Sequence, residues 1–186
     1  MCWAAVDRGL MIAEKVGQSE SFRHWLLQRE RMRSQIEIEG WNEEAGFYTQ
    51  VLSGSNPDAS NLLMCELNFT SADDPRFQRQ VANYQRLLTH NAGVFRYRNE
   101  DDFGVPRHAF IICTFWMVDA LITLGKREEA RVLFEQVLGS SNHVGLLSED
   151  INPETGELWG NFPQTYSHVG VINSAFRLSK SWQDAF

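Results

Sequence analysis

The stretch from residue 145 to 170 combines carboxylates with turn-forming residues, a pattern that can carry acid–base chemistry. It reads GLLSEDINPETGELWGNFPQTYSHVG, and its acidic side chains are Glu149, Asp150, Glu154 and Glu157. A carboxylate that follows an apolar pair at the mouth of a cleft can hold and activate a water molecule as a general base. From position alone, an acidic residue in a polar loop is more often a solvated surface charge. Both interpretations therefore stay open for this loop.

Hydrophobic periodicity predicts helices along most of the chain, and these helices must position the loop. Three segments are apolar on most sides, at 1–16, 107–124 and 163–178, and three carry a single apolar stripe, at 19–39, 74–90 and 126–138. A helix that is apolar all round must be buried all round, whereas a striped helix packs on it from outside. The sequence thus predicts an all-α fold of about seven helices in inner and outer layers, as part of an α/α toroid.

Polar residues mark the starts of two predicted helices. Asp58 is expected to cap a short helix that runs to residue 67, and Asp74 precedes Pro75 in the pattern of a helix start. The long connections lie at 40–58, at 90–107 and in the loop described above. In a double layer of helices, such loops converge at one end of the inner helices, so a site is expected there.

Charge and composition exclude several classes of function. The 186 residues include 17 basic and 24 acidic side chains, and the net charge of -7 would repel a phosphate backbone. The longest apolar run, residues 109–124, is interrupted by Asp119 and is too short to span a membrane. The five histidines have no ligand-pair spacing, so no metal site is predicted. No other cofactor is expected. Neither nucleic acid nor a membrane is an expected partner.

The three cysteines, Cys2, Cys65 and Cys113, are an odd number without CxxC spacing. Each lies in an apolar helical stretch, where a reduced and buried thiol fits best. Such thiols are typical of a reducing compartment, and the first residues do not resemble a cleavable targeting segment. The sequence therefore predicts a cytoplasmic protein.

Three longer stretches resemble a known enzyme family. They are EGWNEEAGFYTQ, VFRYRNEDDFGVPRHAFIICTFWMVDAL and LFEQVLGSSNHVGLLSEDINPETGELWGNFPQTYSHVGVINSA. Together they resemble the C-terminal part of the bacterial glucoamylase and trehalase-type glycoside hydrolases of family 15. The resemblance covers nearly the whole chain. It implies a partial (α/α)6 toroid, with residues 1–186 as the C-terminal portion of a single catalytic domain.

The resemblance further implies inverting hydrolysis of α-glucosidic bonds in oligosaccharides or trehalose. Such a reaction needs a carboxylic acid on the leaving oxygen and a carboxylate that activates water on the opposite face, about 6.5–9.5 Å apart. Glu149, in LLSED, matches the family's general base. Asp150, Glu154 and Glu157 are expected to structure the loop or face solvent. The family's general acid lies upstream of the segment that MCWAAVDRG resembles, so this chain is not expected to supply it.

Substrate-binding residues follow from the same resemblance. Arg96, in FRYRNEDD, resembles an arginine that grips sugar hydroxyls with its planar guanidinium group. Asp101 and Asp102 match acidic positions that line the site, and which of the two points inward stays open. Tyr166 resembles an aromatic residue near the base, where a ring suits the C–H face of a sugar. Trp41 and Trp159 are weaker aromatic candidates, because most of the six tryptophans are expected in the core.

Two functions remain open at this point. The chain is either the base-bearing part of a longer glycosidase, or a non-catalytic helical fragment or glycan-binding module that lacks the acid. In both cases the chain alone is expected to be inactive on α-glucosides. The apolar segment 1–16 would lie on an open edge of the toroid, which predicts a homodimer or coverage by a missing N-terminal segment. His108 departs from the small or acidic residues common at its position in the family, so the preferred glucoside stays open.

Overall fold

The computed structural model describes residues 1–179, which fold into helices joined by short extended pieces. The α-helices are α1 (Cys2–Lys15), α2 (Arg23–Gln35), α3 (Pro75–Leu88), α4 (Ile111–Thr123), α5 (Arg127–Leu138) and α6 (Thr165–Leu178). Two 3₁₀ helices lie at Ser19–Phe22 and Ala59–Met64, and a π-helical turn at Ile36–Gly40 extends α2. With α2 and its flanking turns taken as one, these are the seven helices that the sequence predicts.

Short antiparallel sheets connect the helices. β1 (Trp41–Asn42) pairs with β2 (Phe47–Tyr48), β3 (Thr89–His90) pairs with β4 (Gly93–Val94), and a three-stranded sheet has the order β5 (Ala109–Phe110), β6 (Asp150–Ile151), β7 (Leu158–Trp159). The sequence predicts that a helix starts at residue 107, and this is wrong. The backbone of β5 pairs with β6 instead, so α4 begins at Ile111 and the acidic loop is joined directly to its N-terminal end.

Both predicted helix caps are confirmed. The Asp58 carboxylate accepts a hydrogen bond from the backbone N–H of Ser60 at 2.8 Å, and Asp74 accepts one from the backbone N–H of Arg76 at 2.8 Å. Each carboxylate satisfies an N–H group that has no partner within its own helix. The 3₁₀ helix and α3 therefore begin where the sequence predicts.

The inner helix α4 is the centre of the described core. Most of its side chains are buried, including Cys113, Phe115, Met117, Val118 and Leu121. α5 and α6 pack on two of its sides, and the 3₁₀ helix Ala59–Met64 and α3 pack on others. α6 approaches closely because Gly170 has no side chain, and a Cβ atom there would lie 2.4 Å from the Phe115 ring.

Two helices predicted to be inner bury only one side. α1 buries Trp3, Ala4 and Ala13 but exposes Ile12 and Val16, and the buried residues of α6 are Ser167, Gly170, Ser174 and Leu178. α2 has no buried residue despite its apolar stripe. Apolar character on all sides leads to complete burial only when neighbours are present on all sides. Within residues 1–179, α1 packs mainly on α2 and α6 packs on α4 and α5.

The cysteines are all free, but they are not all buried. Cys113 is buried and Cys65 is partly buried, whereas Cys2, the first residue of α1, is exposed. The expectation of a buried thiol at residue 2 is therefore wrong, and the cytoplasmic location stays a prediction. None of the helices within residues 1–179 has the length and apolarity to cross a membrane.

Candidate active site

Backbone hydrogen bonds fix the acidic loop between the starts of two helices. The N–H of Ile111, at the start of α4, donates to the carbonyl of Glu149 at 3.0 Å. The N–H of Gln164, just before α6, donates to the carbonyl of Leu147 at 3.0 Å. The Leu147 side chain is fully buried and anchors the segment in the core. The loop carries its carboxylates on a backbone that is held at both ends.

Glu149 is held by Asn161 in the adjoining turn. Its Oε2 accepts hydrogen bonds from the backbone N–H of Asn161 at 3.2 Å and from the Asn161 Nδ2 at 2.9 Å, while its own N–H donates to the Asn161 carbonyl at 2.9 Å. Gly160 precedes this turn with φ +78°, and a Cβ atom there would lie 3.0 Å from Oε2. No donor within residues 1–179 binds Oε1. One carboxylate oxygen therefore sets the orientation, and the other remains for a ligand.

Glu149 faces a cleft of about 760 Å³. Its walls come from the loop 96–108, from Phe110 of β5, and from the pair Glu149 and Asp150. Ligand pockets for small molecules typically span about 300–1,000 Å³, so the space suits one or two sugar rings. Arg96 and Asp101, predicted to bind substrate, line the same cleft. Three predicted site residues, two from the loop 96–108 and one from the acidic loop, thus lie around one cavity.

Arg96 is positioned by a buried partner. Its Nε donates to the Oδ1 of Asp58 at 2.8 Å, and the Asp58 side chain is only 8% exposed. Burial lowers the pKa of the Arg96 guanidinium, but the hydrogen bond and charge of Asp58 outweigh this and raise it. The guanidinium is thus a permanent cation, with its Nε bound to Asp58 and further N–H groups left for a ligand.

Asp101 lies at the cleft, whereas Asp102 is exposed and does not line it. Both oxygens of Asp101 are engaged, because the Tyr97 hydroxyl donates to Oδ2 at 2.7 Å and the Phe103 N–H donates to Oδ1 at 2.8 Å. These two bonds lower the pKa of the Asp101 carboxyl. Asp101 therefore shapes the loop that forms one wall of the cleft.

Asp150 differs from the sequence interpretation of a solvent-facing or loop-structuring group. It is half-buried, lines the cleft beside Glu149, and its carboxylate accepts no hydrogen bond from residues 1–179. Burial first, and then the charge of Glu149, raise the pKa of Asp150 to about 6. Its pairing in the middle strand β6 explains this position, because Phe110 and Trp159 flank it on either side. A carboxylate of this kind can exchange a proton near neutral pH.

Two aromatic residues predicted to bind substrate lie outside the cleft. Tyr166 is 61% exposed in the first turn of α6 and does not line the cavity. Trp41 packs against Tyr48 at a ring-centroid distance of 5.2 Å, and its Nε1 donates to Glu43 at 2.6 Å. This places Trp41 in a separate cluster near α1. The cleft gives no support to either substrate-binding role, and both stay predictions.

Sequence reasoning does not identify Asn161 or Asp150 as site residues. Asn161 is found through its hydrogen bonds to Glu149, and the only sequence signal for it is the turn-forming run GNFPQ. The position of Asp150 in the cleft depends on the pairing of β6 with β5, which is distant in sequence. Strands of two residues leave no recognisable pattern in the sequence. Among residues 1–179, no group of three or more His, Cys, Asp or Glu side chains is arranged to hold a metal ion.

Comparison with known proteins gives a consistent family match. The model of the family described as Glycosyl hydrolases family 15 matches residues 1–176. A trehalase of Mycolicibacterium smegmatis is 34% identical over 188 residues, which cover 100% of this chain and 28% of the trehalase. A trehalase of Thermoplasma volcanium is 31% identical over 182 residues, which cover 97% of this chain and 29% of that protein. The chain spans less than a third of the length of these relatives.

Solved structures share the fold. A bacterial glucoamylase complexed with acarbose has a TM-score of 0.76 at 16% sequence identity, and the match covers 94% of this chain and 32% of the glucoamylase. At this level of identity the likeness concerns the fold alone. It confirms the predicted fold class, an all-α partial (α/α)6 toroid with inner and outer layers.

Proposed function

The chain belongs to the glycosyl hydrolases of family 15, and from this premise we propose that it acts as part of a longer enzyme that hydrolyses α-glucosidic bonds. The two relatives described above are both trehalases, and the chain covers 28% and 29% of their length. Trehalose is therefore the first substrate to test, and α-linked oligosaccharides such as maltotriose are the second. In this proposal residues 1–186 are the C-terminal portion of a single catalytic domain, and the rest of that domain comes from another part of the longer protein.

In this proposal Glu149 is the general base of an inverting reaction. The observation that carries the role is its geometry, with Oε2 held by the two N–H donors of Asn161 and the side chain facing the cleft. A water bound at Oε1 would transfer a proton to Glu149 while the water oxygen attacks the anomeric carbon. The hydrogen bonds from Asn161 to Oε2 keep the carboxylate in this orientation, with Oε1 left for the water.

Arg96 and Asp150, which line the same cleft as the base, are then substrate-binding groups. The guanidinium of Arg96 can donate to adjacent sugar hydroxyls while Asp58 holds its Nε. The half-buried carboxylate of Asp150, without a donor among residues 1–179, can accept from a hydroxyl. A buried polar group without a protein partner is costly, and a sugar hydroxyl would offset that cost.

The general acid is expected from the part of the enzyme beyond this chain. Asp150 follows Glu149 directly on the same wall, whereas an inverting acid must lie across the sugar, about 6.5–9.5 Å from the base. General acid catalysis typically contributes about 10²–10⁴-fold, and positioning by the rest of the toroid adds more. We therefore expect no enzymatic turnover by the 186-residue chain alone.

A chimera tests this proposal. The chain would replace the matching segment of the M. smegmatis trehalase, and hydrolysis of trehalose and maltotriose would be measured for the chimera and for the isolated chain. We expect turnover only by the chimera, and loss of that turnover on Glu149→Gln. The matched control Glu154→Gln alters an exposed carboxylate of the same loop and should remain active. Full activity of the Glu149→Gln chimera would refute the role of the base.

The second candidate is a glycan-binding module without catalysis. The same cleft favours this candidate, because Arg96, Glu149 and Asp150 could bind a sugar without a general acid. Titration of trehalose into the isolated chain addresses it directly. If the chain binds trehalose but the chimera never turns over, the binding module is the better description.

A further inference from the structure

The three-stranded sheet has one face towards the core and one face towards the cleft. Ala109 and Ile151 are opposite each other in register and are fully buried. Their neighbours Phe110 and Asp150 are also paired, and both line the cleft. Because side chains alternate along a strand, His108 shares the face of Phe110, and Trp159, which pairs with Asp150, lies on the same face. Besides Phe110, this face thus carries the rings of His108, which directly precedes β5, and of Trp159 in β7.

These two rings stack on each other. The ring centroids of His108 and Trp159 are 4.8 Å apart, and the ring planes differ by only 13°. His108 lines the cleft, whereas Trp159 does not and remains 46% exposed. The outer rings therefore meet across the central strand β6, which carries Asp150. The stack fixes the plane of the imidazole at the wall of the cleft.

The imidazole of His108 has unused hydrogen-bonding capacity. Neither of its ring nitrogens makes a hydrogen bond within residues 1–179, although the residue is half-buried. A neutral imidazole has one N–H donor and one acceptor nitrogen, and a sugar hydroxyl can both donate and accept. The arrangement combines a ring of fixed orientation, free polar atoms and a carbohydrate-sized cavity.

We propose that His108 is a further substrate-binding residue, which hydrogen-bonds a hydroxyl of the sugar in the cleft, and that Trp159 is its positioning residue. The inference rests on the proposed function, because it assumes a sugar in this cleft. Trp159 acts through His108 by restricting the ring to one plane, which lowers the entropy lost when the hydrogen bond forms. The pair therefore contributes to the choice among glucosides of different hydroxyl geometry.

The isolated chain allows a test that does not depend on catalysis. Trehalose and maltose would be titrated separately into the ¹⁵N-labelled chain while two sets of NMR signals are followed. The first set is the ring resonances of His108, assigned by their loss in His108→Gln. The second is the backbone amides of Gly160 and Asn161, which report on the neighbourhood of Glu149.

We expect at least one of the two sugars to shift both sets of signals with one dissociation constant. His108→Gln and Trp159→Leu should raise that constant about 2- to 10-fold, the range of a single net hydrogen bond. Trp159→Phe retains a flat ring and should stay within about twofold of wild type. His143→Gln, at an exposed loop position, is the matched control and should have no effect.

The remaining outcomes separate this inference from the proposed function. If both sugars shift only the Gly160 and Asn161 amides, a sugar binds but His108 does not contact it, and the inference is overturned alone. If neither sugar shifts either set, both the inference and the sugar-binding cleft are contradicted. Equal weakening by Trp159→Leu and Trp159→Phe would overturn the positioning role. Should Trp159→Leu fail to fold, His108→Gln still decides whether the imidazole binds.

Discussion

Asn161 binds Glu149 through both its backbone and its side chain, and both donors reach the same carboxylate oxygen. The distances to Oε2 are 3.2 Å from the N–H and 2.9 Å from Nδ2. The carbonyl of Asn161 also accepts from the N–H of Glu149 at 2.9 Å. Two turns of the acidic loop are thereby joined at the proposed base, so the orientation of the carboxylate depends on a residue 12 positions later in the chain.

Asn161→Ala tests whether this contact positions the base. The substitution removes the Nδ2 donor but leaves the backbone N–H, so we expect kcat of the trehalase chimera to fall about tenfold, as for one lost hydrogen bond to a charged group. KM should change less, because Asn161 does not line the cleft. Asn173→Ala, at an exposed position of α6, is the matched control. An unchanged kcat would show that the turn holds Glu149 without the amide.

The raised pKa of Asp150 predicts how stability depends on pH. The pKa is about 6 in the folded chain, mainly because of burial and then because of Glu149. In the unfolded chain an aspartate titrates near 3.9, so between about pH 4 and pH 6 the folded state binds more protons. The free energy of unfolding should therefore fall as the pH rises through this window and stay lower above it.

Asp150→Asn removes this titration. We expect the variant to be more stable than wild type by about 1–2 kcal/mol at pH 7, after allowance for the solvent that reaches the open cleft. The difference should shrink as the pH falls from about 6 to below about 4, because the wild-type carboxyl is then protonated first in the folded state and later in the unfolded state. Urea unfolding of the isolated chain from pH 3.5 to 8 measures it, with Asp102→Asn as the exposed control. A difference independent of pH would contradict the burial of Asp150.

Asp58 has two structural roles, so its substitution should lower the stability of the chain. It caps the 3₁₀ helix at Ser60 and also binds the Nε of Arg96. Asp58→Ala removes both contacts and should lower the free energy of unfolding by about 2–3 kcal/mol. Glu128→Ala breaks an exposed ion pair with Arg131 and should cost less than about 1 kcal/mol. Denaturant unfolding of both variants checks the contrast, and equal small effects would argue against a positioned Arg96.

The exposed side of α6 predicts that the isolated chain associates. Its apolar residues Val169, Ile172 and Phe176 follow one another on the helix surface, with Phe176 81% exposed. Contiguous apolar patches of more than a few hundred Å² are usually relieved by contact with another surface. We expect light scattering to detect a homodimer of the 186-residue chain, and Ile172→Ser with Phe176→Ser to weaken it. A clean monomer at high concentration would contradict this prediction.

Local signals explain what could be predicted about the fold. The caps at Asp58 and Asp74 depend only on residues next to them, and the burial of α4 follows from a run that is apolar on all sides. The outward faces of α1 and α6 could not be predicted in the same way. Their apolar composition indicates that each helix packs against other elements on several sides. Whether residues 1–179 provide those elements depends on how all the helices are arranged in space.

The site was predictable only in part, for a related reason. Glu149, Arg96 and Asp101 could be selected by family resemblance and lie around one cleft. The positions of His108 and Asp150 depend on pairing between two-residue strands, which are too short to give a periodic signal. The misassigned start of α4 has the same origin. Long-range pairing therefore accounts for most of the differences between expectation and structure at this site.

The anomeric form of the product tests the central claim most directly. ¹H NMR would follow the first seconds of maltotriose hydrolysis by the trehalase chimera, before mutarotation mixes the anomers. If Glu149 activates water on the face opposite the leaving group, the glucose released from the non-reducing end appears as the β-anomer, and Glu149→Gln abolishes its formation. Initial release of the α-anomer, or β-anomer formation that survives Glu149→Gln, would contradict the account.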